Sequence, residues 1–184
     1  MRRRAALEDT RAWVRDVVRS GLLGADDLQA EVTGVVAVDH PELPAAETAR
    51  AWIAEEQADW AEEARSWPAP TDHERLEAAF ARLEEHGIVV LQGCADHWAA
   101  RDLLRRREQD PPRGVAWFTP ADVWHAIDEG MLEVNLWHGT TANAAPGDAL
   151  LDEAIGCFAD EGLPAHFDEG RIEVSAHWRR RPGE

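Results

Sequence analysis

Two stretches of the chain are written to one plan: an amphipathic helix closed by a glycine and followed by an extended segment. Leu76 to Ile88 reads Leu-Glu-Ala-Ala-Phe-Ala-Arg-Leu-Glu-Glu-His-Gly-Ile, and Leu151 to Leu163 reads Leu-Asp-Glu-Ala-Ile-Gly-Cys-Phe-Ala-Asp-Glu-Gly-Leu. Apolar residues recur at helical intervals in both: Leu76, Ala79, Phe80 and Leu83, then Leu151, Ala154, Ile155 and Phe158. Gly87 and Gly162 stand where a helix closes in left-handed backbone, which glycine adopts without a Cβ clash. Such stripes must bury against another layer, so the repeat predicts helices packed on a sheet and says nothing of chemistry.

The rest of the chain after Thr71 fits that plan. Thr71 and Glu74 form a capping box, which gives Glu74 a structural task before any chemical one. Ile88 to Gln92 reads as a short strand, Trp98 to Arg107 as a helix ended by Asp110-Pro111-Pro112, and Gly114 to Phe118 as the next strand. Thr119-Pro120-Ala121-Asp122 opens a further helix in the order cap, first-turn proline, acid. Met131 to Trp137 and Arg171 to Trp178 alternate apolar and polar, which marks strands with one buried face. Pro164 to Phe167 is expected to pair with Arg171 to Trp178 through a tight turn at Asp168-Glu169-Gly170. The predicted fold is α+β: a mixed, largely antiparallel sheet with helices on one face, plus a helical N-terminal segment.

That segment, 1–67, shows three helical stripes. Leu7, Val14, Val17 and Val18 form the first, and Leu28, Val32, Val35 and Val36 the second. The third follows Pro44, runs to Ser66, and carries Trp52, Ile53, Trp60 and Trp67. A tryptophan stripe of this kind is a packing surface, expected to dock the segment on the main α+β domain, 71–181. Trp67-Pro68-Ala69-Pro70 joins the two.

Charge narrows the function classes. Acids number 36 against 19 basic residues, all arginine, for a net charge of -17. Nucleic-acid binding is disfavoured, since phosphate contacts need a positive surface. A basic protein is the fitting partner. No apolar run approaches the roughly 20 residues that span a bilayer. The N-terminus Met1-Arg2-Arg3-Arg4-Ala5-Ala6-Leu7-Glu8-Asp9 meets acid where a signal peptide needs an apolar core. A cytoplasmic protein with no membrane partner is expected. Cys94 and Cys157 are the only cysteines, too few for a disulfide framework, and Cys157 reads as a small apolar helix residue.

Chemistry has few places to reside. Gln92 to Trp98 brings Cys94, Asp96 and His97 together at a strand end, where functional groups tend to gather. They are the candidate catalytic residues, Cys94 as nucleophile and His97 as base, although neighbours this close in sequence seldom orient for it. Two ligands are also short of a zinc site, so no metal and no cofactor are expected. Asp122, His125 and Glu129 share a helix face read as the solvated side. Candidate binding residues are His138, leading into the flexible stretch Asn143 to Gly147, and the polar sheet face of Glu133, Asn135, Arg171, Glu173, Ser175 and His177. The reading is a non-enzymatic binding or regulatory protein using an acidic surface, with a small enzyme or metal-binding protein at Cys94, Asp96 and His97 as the alternative.

Trp67-Pro68, Thr71-Asp72, Arg75 to Phe80, His86 to Val89, Gly114 to Phe118, Glu161-Gly162-Leu163, Arg171 to Val174 and Trp178-Arg179-Arg180 carry a resemblance. On these motifs the block Thr71 to Arg181 resembles a bacterial family of uncharacterised proteins, domain of unknown function 6891, and the N-terminal helices are similar more loosely. The resemblance implies no activity. Relatives carry a longer loop after the first strand, some with several cysteines; Cys94 stands alone here, which counts against a metal. The helix-glycine-strand units also look like ferredoxin-like regulators such as ribonuclease E inhibitor B, by analogy of fold.

Overall fold

The computed structural model describes residues 6–140 and 142–183. The basic run Met1 to Ala5, part of the leader argument, lies outside the described residues, as does Thr141. Seven helices and five strands occur among those described. The chain divides between Pro68 and Ala69 into two compact units, and the segment from Arg180 onward belongs with the first.

The first unit is helical. It comprises α1 (Leu7–Ser20), α2 (Ala25–Asp39) and α3 (Ala45–Ala64). Most of the expected stripes are buried: Val14, Val17 and Val18, then Leu28, Val32 and Val36, then Trp52, Ile53 and Trp60, with Ala49 joining the third. Leu7, the first residue of α1, is exposed instead, and Val35 is half-buried. Trp52 meets the His40 ring edge-on at 6.4 Å and carries the Arg11 guanidinium 5.2 Å above its face. His40 Nε2 lies 2.8 Å from Thr10 Oγ1, a buried polar contact that ties the end of α2 to the start of α1. Trp67 falls past the end of α3 and is half-buried.

The second unit runs α4 (Asp72–Glu85), β1 (Ile88–Leu91), α5 (His97–Arg106), β2 (Gly114–Trp117), α6 (Pro120–Asp128), β3 (Met131–His138), α7 (Ala149–Asp160), β4 (Ala165–Asp168) and β5 (Arg171–Ser175). Its sheet has the order β1-β2-β3-β5-β4, with β1 and β2 parallel and every other pair antiparallel. The fold is α+β with a mixed sheet, as the patterning predicts. Both capping boxes form: Thr71 N–H donates to Glu74 while Glu74 N–H donates to Thr71 Oγ1 at 3.2 Å, and Thr119 N–H donates to Asp122 at 2.7 Å. Asp122 is therefore buried as a cap and does not lie on a solvated face; His125 and Glu129 are exposed.

Alternation sorts the sheet faces. Leu132, Val134, Leu136, Ile172 and Val174 point into the main core, where the Phe80 ring meets Phe118 at 5.6 Å and Phe158 at 6.1 Å. On the opposite face α5 lays Ala100 and Leu104 over Val115 and Trp117, with Leu91, Cys94, Leu103 and Trp137 around them. A helix on this second face follows from the parallel pair, which needs a crossover between its strands. In a ferredoxin-like βαβ unit a third strand splits the parallel pair. Here β1 and β2 are direct neighbours, so the topology does not carry that likeness. The sheet ends at β1 on one side and β4 on the other.

The turn between β4 and β5 pairs Asp168 with Arg171, leaving Glu169 and Gly170 as a two-residue loop at φ 42° and 93°. Both residues at positive φ is the geometry that asparagine-glycine satisfies best, and glutamate carries a Cβ penalty there. Glu169→Asn is expected to raise stability by about 0.5–1 kcal/mol. An unchanged urea midpoint would contradict that strain.

Candidate functional site

The loop after β1 is held by backbone. Phe118 N–H donates to Leu91 O at 3.3 Å and Cys94 N–H to Phe118 O at 3.0 Å, and Gly93 takes the left-handed bend at φ 59°. Each of the three candidate side chains then has a local task. The Cys94 thiol contacts the Asp96 carbonyl at 3.6 Å and packs against the α5 cluster. Burial pushes its pKa up, and the carboxylates of Asp96 and Asp122 add to that effect. Asp96 caps α5, accepting Trp98 N–H at 2.8 Å. The His97 ring lies on Trp98, centroids 4.7 Å apart, and 6.5 Å from Trp137. The residues are brought together as a helix entry, and no hydrogen bond joins Cys94 to His97 among the described residues. A thiol in apolar surroundings keeps its proton, and it is the thiolate that attacks.

The polar sheet face carries the strongest cross-strand grouping. Glu133 on β3 stands opposite Glu173 on β5, which stands opposite His166 on β4. Two carboxylates directly opposed repel, at a cost of a few tenths of a kcal/mol or more, roughly. Arg171 offsets this by pairing with Glu133, and His166 Nε2 lies 3.5 Å from Glu173. Asn135 sits farther along the same face with its amide 3.5 Å from the Trp117 carbonyl. Ser175 is exposed at the far end of β5. His166 escapes a reading strand by strand. The two-residue turn contains the missing signal, because pairing Asp168 with Arg171 puts His166 opposite Glu173.

The remaining candidates lie elsewhere. His177 follows β5, where its ring covers Gly130 and its N–H donates to Asp72 at 3.1 Å. His138 ends β3 and lies 2.9 Å from Asp148, which also accepts Ala145 N–H at 2.8 Å. Asp148 is held below the usual carboxylate range, first by the His138 hydrogen bond and then by that backbone N–H. With His138 N–H bonded to Ala142 O and Ala144 N–H to Leu136 O, the stretch before α7 folds back on β3. His138 and Asp148 thus pin a loop. Among the described residues no group of three or more His, Cys, Asp or Glu is gathered so that it could hold a metal ion, and no helix is long and apolar enough to cross a membrane.

Fold and site together define a class: a two-unit α+β protein, with a three-helix unit and a mixed five-stranded sheet whose polar side groups two glutamates, a histidine and an arginine. Within that class the chain belongs to the family described as Domain of unknown function (DUF6891), which matches residues 3–182. No curated protein and no solved structure matches the chain.

Proposed function

We propose that the chain is a non-enzymatic binding or regulatory protein whose acidic surface docks a basic protein partner. One observation carries the reading: Arg11, Arg19 and Arg65 of the helical unit are already paired with their own unit's acids, while other acids of that unit stand exposed. Arg11 pairs with Glu55 at 2.8 Å, Arg19 with Glu63 at 2.8 Å, and Arg65 with Glu62. Asp26, Asp27 and Glu31 on α2 and Glu47 on α3 are exposed and have no cationic partner among the described residues. Gln29 reaches the Ala46 carbonyl at 3.4 Å, which sets the α2 turn bearing these acids beside the start of α3. Helix dipoles favour acids in a first turn, which accounts for Asp26, Asp27 and Glu47 individually. They do not account for Glu31, nor for acids outnumbering arginines by 36 to 19. The capping role of Asp96 and the burial that pushes the Cys94 thiol pKa up also favour binding over nucleophilic chemistry.

The test is capture from native lysate at low salt by the full chain, against Asp27→Lys with Glu31→Lys. A partner retained by the wild type, released by salt and lost by the double variant supports the reading. A partner held equally by both, or no partner retained at low salt, overturns it. Rapid alkylation of Cys94 by iodoacetamide near neutral pH would favour the enzymatic alternative.

A further inference from the structure

We propose that the outer face of α5 is a docking stripe for a short acidic peptide segment with an apolar residue at one end, a surface opposite in sign to the acidic one. Ala100 and Leu104 turn inward and are buried, which leaves Trp98, Arg101, Arg105 and Arg106 on the exposed side. Trp98, Arg101 and Arg105 are spaced three and four residues apart, so they align along one side of the helix over about 10 Å. Trp98 is 51% exposed, one of few large apolar side chains so placed. The Arg101 guanidinium lies 5.3 Å above its ring. Past the end of α5 the stripe enters a groove of about 540 Å³ lined by Arg105, Arg106, Arg107, Gln109 and the acids Glu108 and Asp110.

The arginines are largely unspent. Arg105 meets Asp102 at 3.2 Å, while Arg101, Arg106 and Arg107 have no carboxylate partner among the described residues. Cations at a helix C-terminus do offset the dipole, but the effect is confined to the last turn. Arg101 lies beyond its reach, and the dipole gives no reason to expose Trp98. Tryptophan and arginine are the residues most enriched among interface hot spots. Guanidinium forks match carboxylates two bonds at a time, and the indole offers an apolar seat at one end of the row.

Charge also sets the size of the occupant. A nucleic acid or an anionic membrane presents extended negative charge to a chain whose net charge is -17. Screening over about 8 Å at physiological salt lets a peptide of a few carboxylates see the arginine stripe while escaping most of that repulsion.

The experiment titrates the full chain into a fluorescein-labelled peptide of one leucine followed by a run of glutamates, read by anisotropy. Arg105→Glu with Arg106→Glu is expected to weaken binding about tenfold or more, and Trp98→Ala about three- to tenfold. Arg50→Glu, an exposed arginine of the helical unit, is expected to leave it unchanged. Affinity should fall as salt rises. All of these side chains are exposed, and circular dichroism checks that each variant is folded. Equal binding by wild type and the double variant, equal weakening by Arg50→Glu, or no binding up to about 1 mM, the weak end of specific affinities, overturns the proposal. Tighter binding of oligothymidylate than of the peptide would assign the stripe to nucleic acid instead. Self-association of the free chain that the arginine substitutions abolish would assign it to a second copy.

Discussion

Replacing Phe118 by alanine is expected to lower the unfolding free energy by about 3–5 kcal/mol. Whole domains are stable by only about 5–15 kcal/mol, so this variant should sit near the edge of folding. Phe118 is fully buried, with its ring between those of Phe80 at 5.6 Å and Trp178 at 5.9 Å. Truncation forfeits the transfer energy of the ring and opens a cavity that α4 and the segment after β5 would have to collapse to fill. Phe118→Leu, which keeps most of the volume, should cost about 1–2 kcal/mol. Urea denaturation measures both. Similar midpoints for the two variants would show that volume is not what Phe118 supplies.

Gly139→Ala is the second large effect, expected to destabilise by about 1–3 kcal/mol through overpacking. The cause is backbone against backbone. A Cβ at position 139 would overlap the carbonyl oxygen of Pro112, while Gly139 N–H donates to Arg113 O at 3.0 Å and so fixes the distance. The Pro112 carbonyl cannot swing away freely, because the N–H of the same peptide unit, that of Arg113, donates to Gly87 O at 3.0 Å. Gly156→Ala supplies the contrast. Gly156 lies inside α7 with nothing within 4 Å of an added Cβ, so alanine there should stabilise by about 0.5–1 kcal/mol. Opposite signs for the two substitutions support the packing argument; a stable Gly139→Ala would refute it.

Local chemistry was legible in the sequence because it acts over a few residues. The Thr71 and Thr119 caps, the left-handed glycines 87 and 162, and the turn at Glu169-Gly170 all occur where their patterns place them. Alternation also gave the faces of β3 and β5. Strands β1 and β2 gave no such information. Ile-Val-Val-Leu and Gly-Val-Ala-Trp are continuous apolar runs, silent on which residue faces which way and on who pairs with whom. The parallel pairing and the position of α5 on the second face were hidden for that reason. Asp122 reads in the sequence both as the acid that follows the Thr119 cap and as part of a polar helix face, since the two overlap in the first turn, and the hydrogen bond from Thr119 N–H decides for the cap. The grouping of Glu133, Glu173 and His166 needed the register of three strands at once. The exposure of Trp98 could not be seen from an apolar residue type.

The two edges of the sheet differ in a way that bears on how this protein behaves at high concentration. β4 is four residues long, exposes His166 and Asp168, and is closed by a tight turn. Charge and brevity are how native sheets discourage a neighbour from adding a strand. β1 is equally short, yet it reads Ile-Val-Val-Leu without a charge. Brief apolar runs with high strand propensity and no proline are the segments from which intermolecular pairing grows once their cover loosens. The protein's colloidal weak point is therefore the edge next to α4, and clumping on partial unfolding would be seeded there and not at β4.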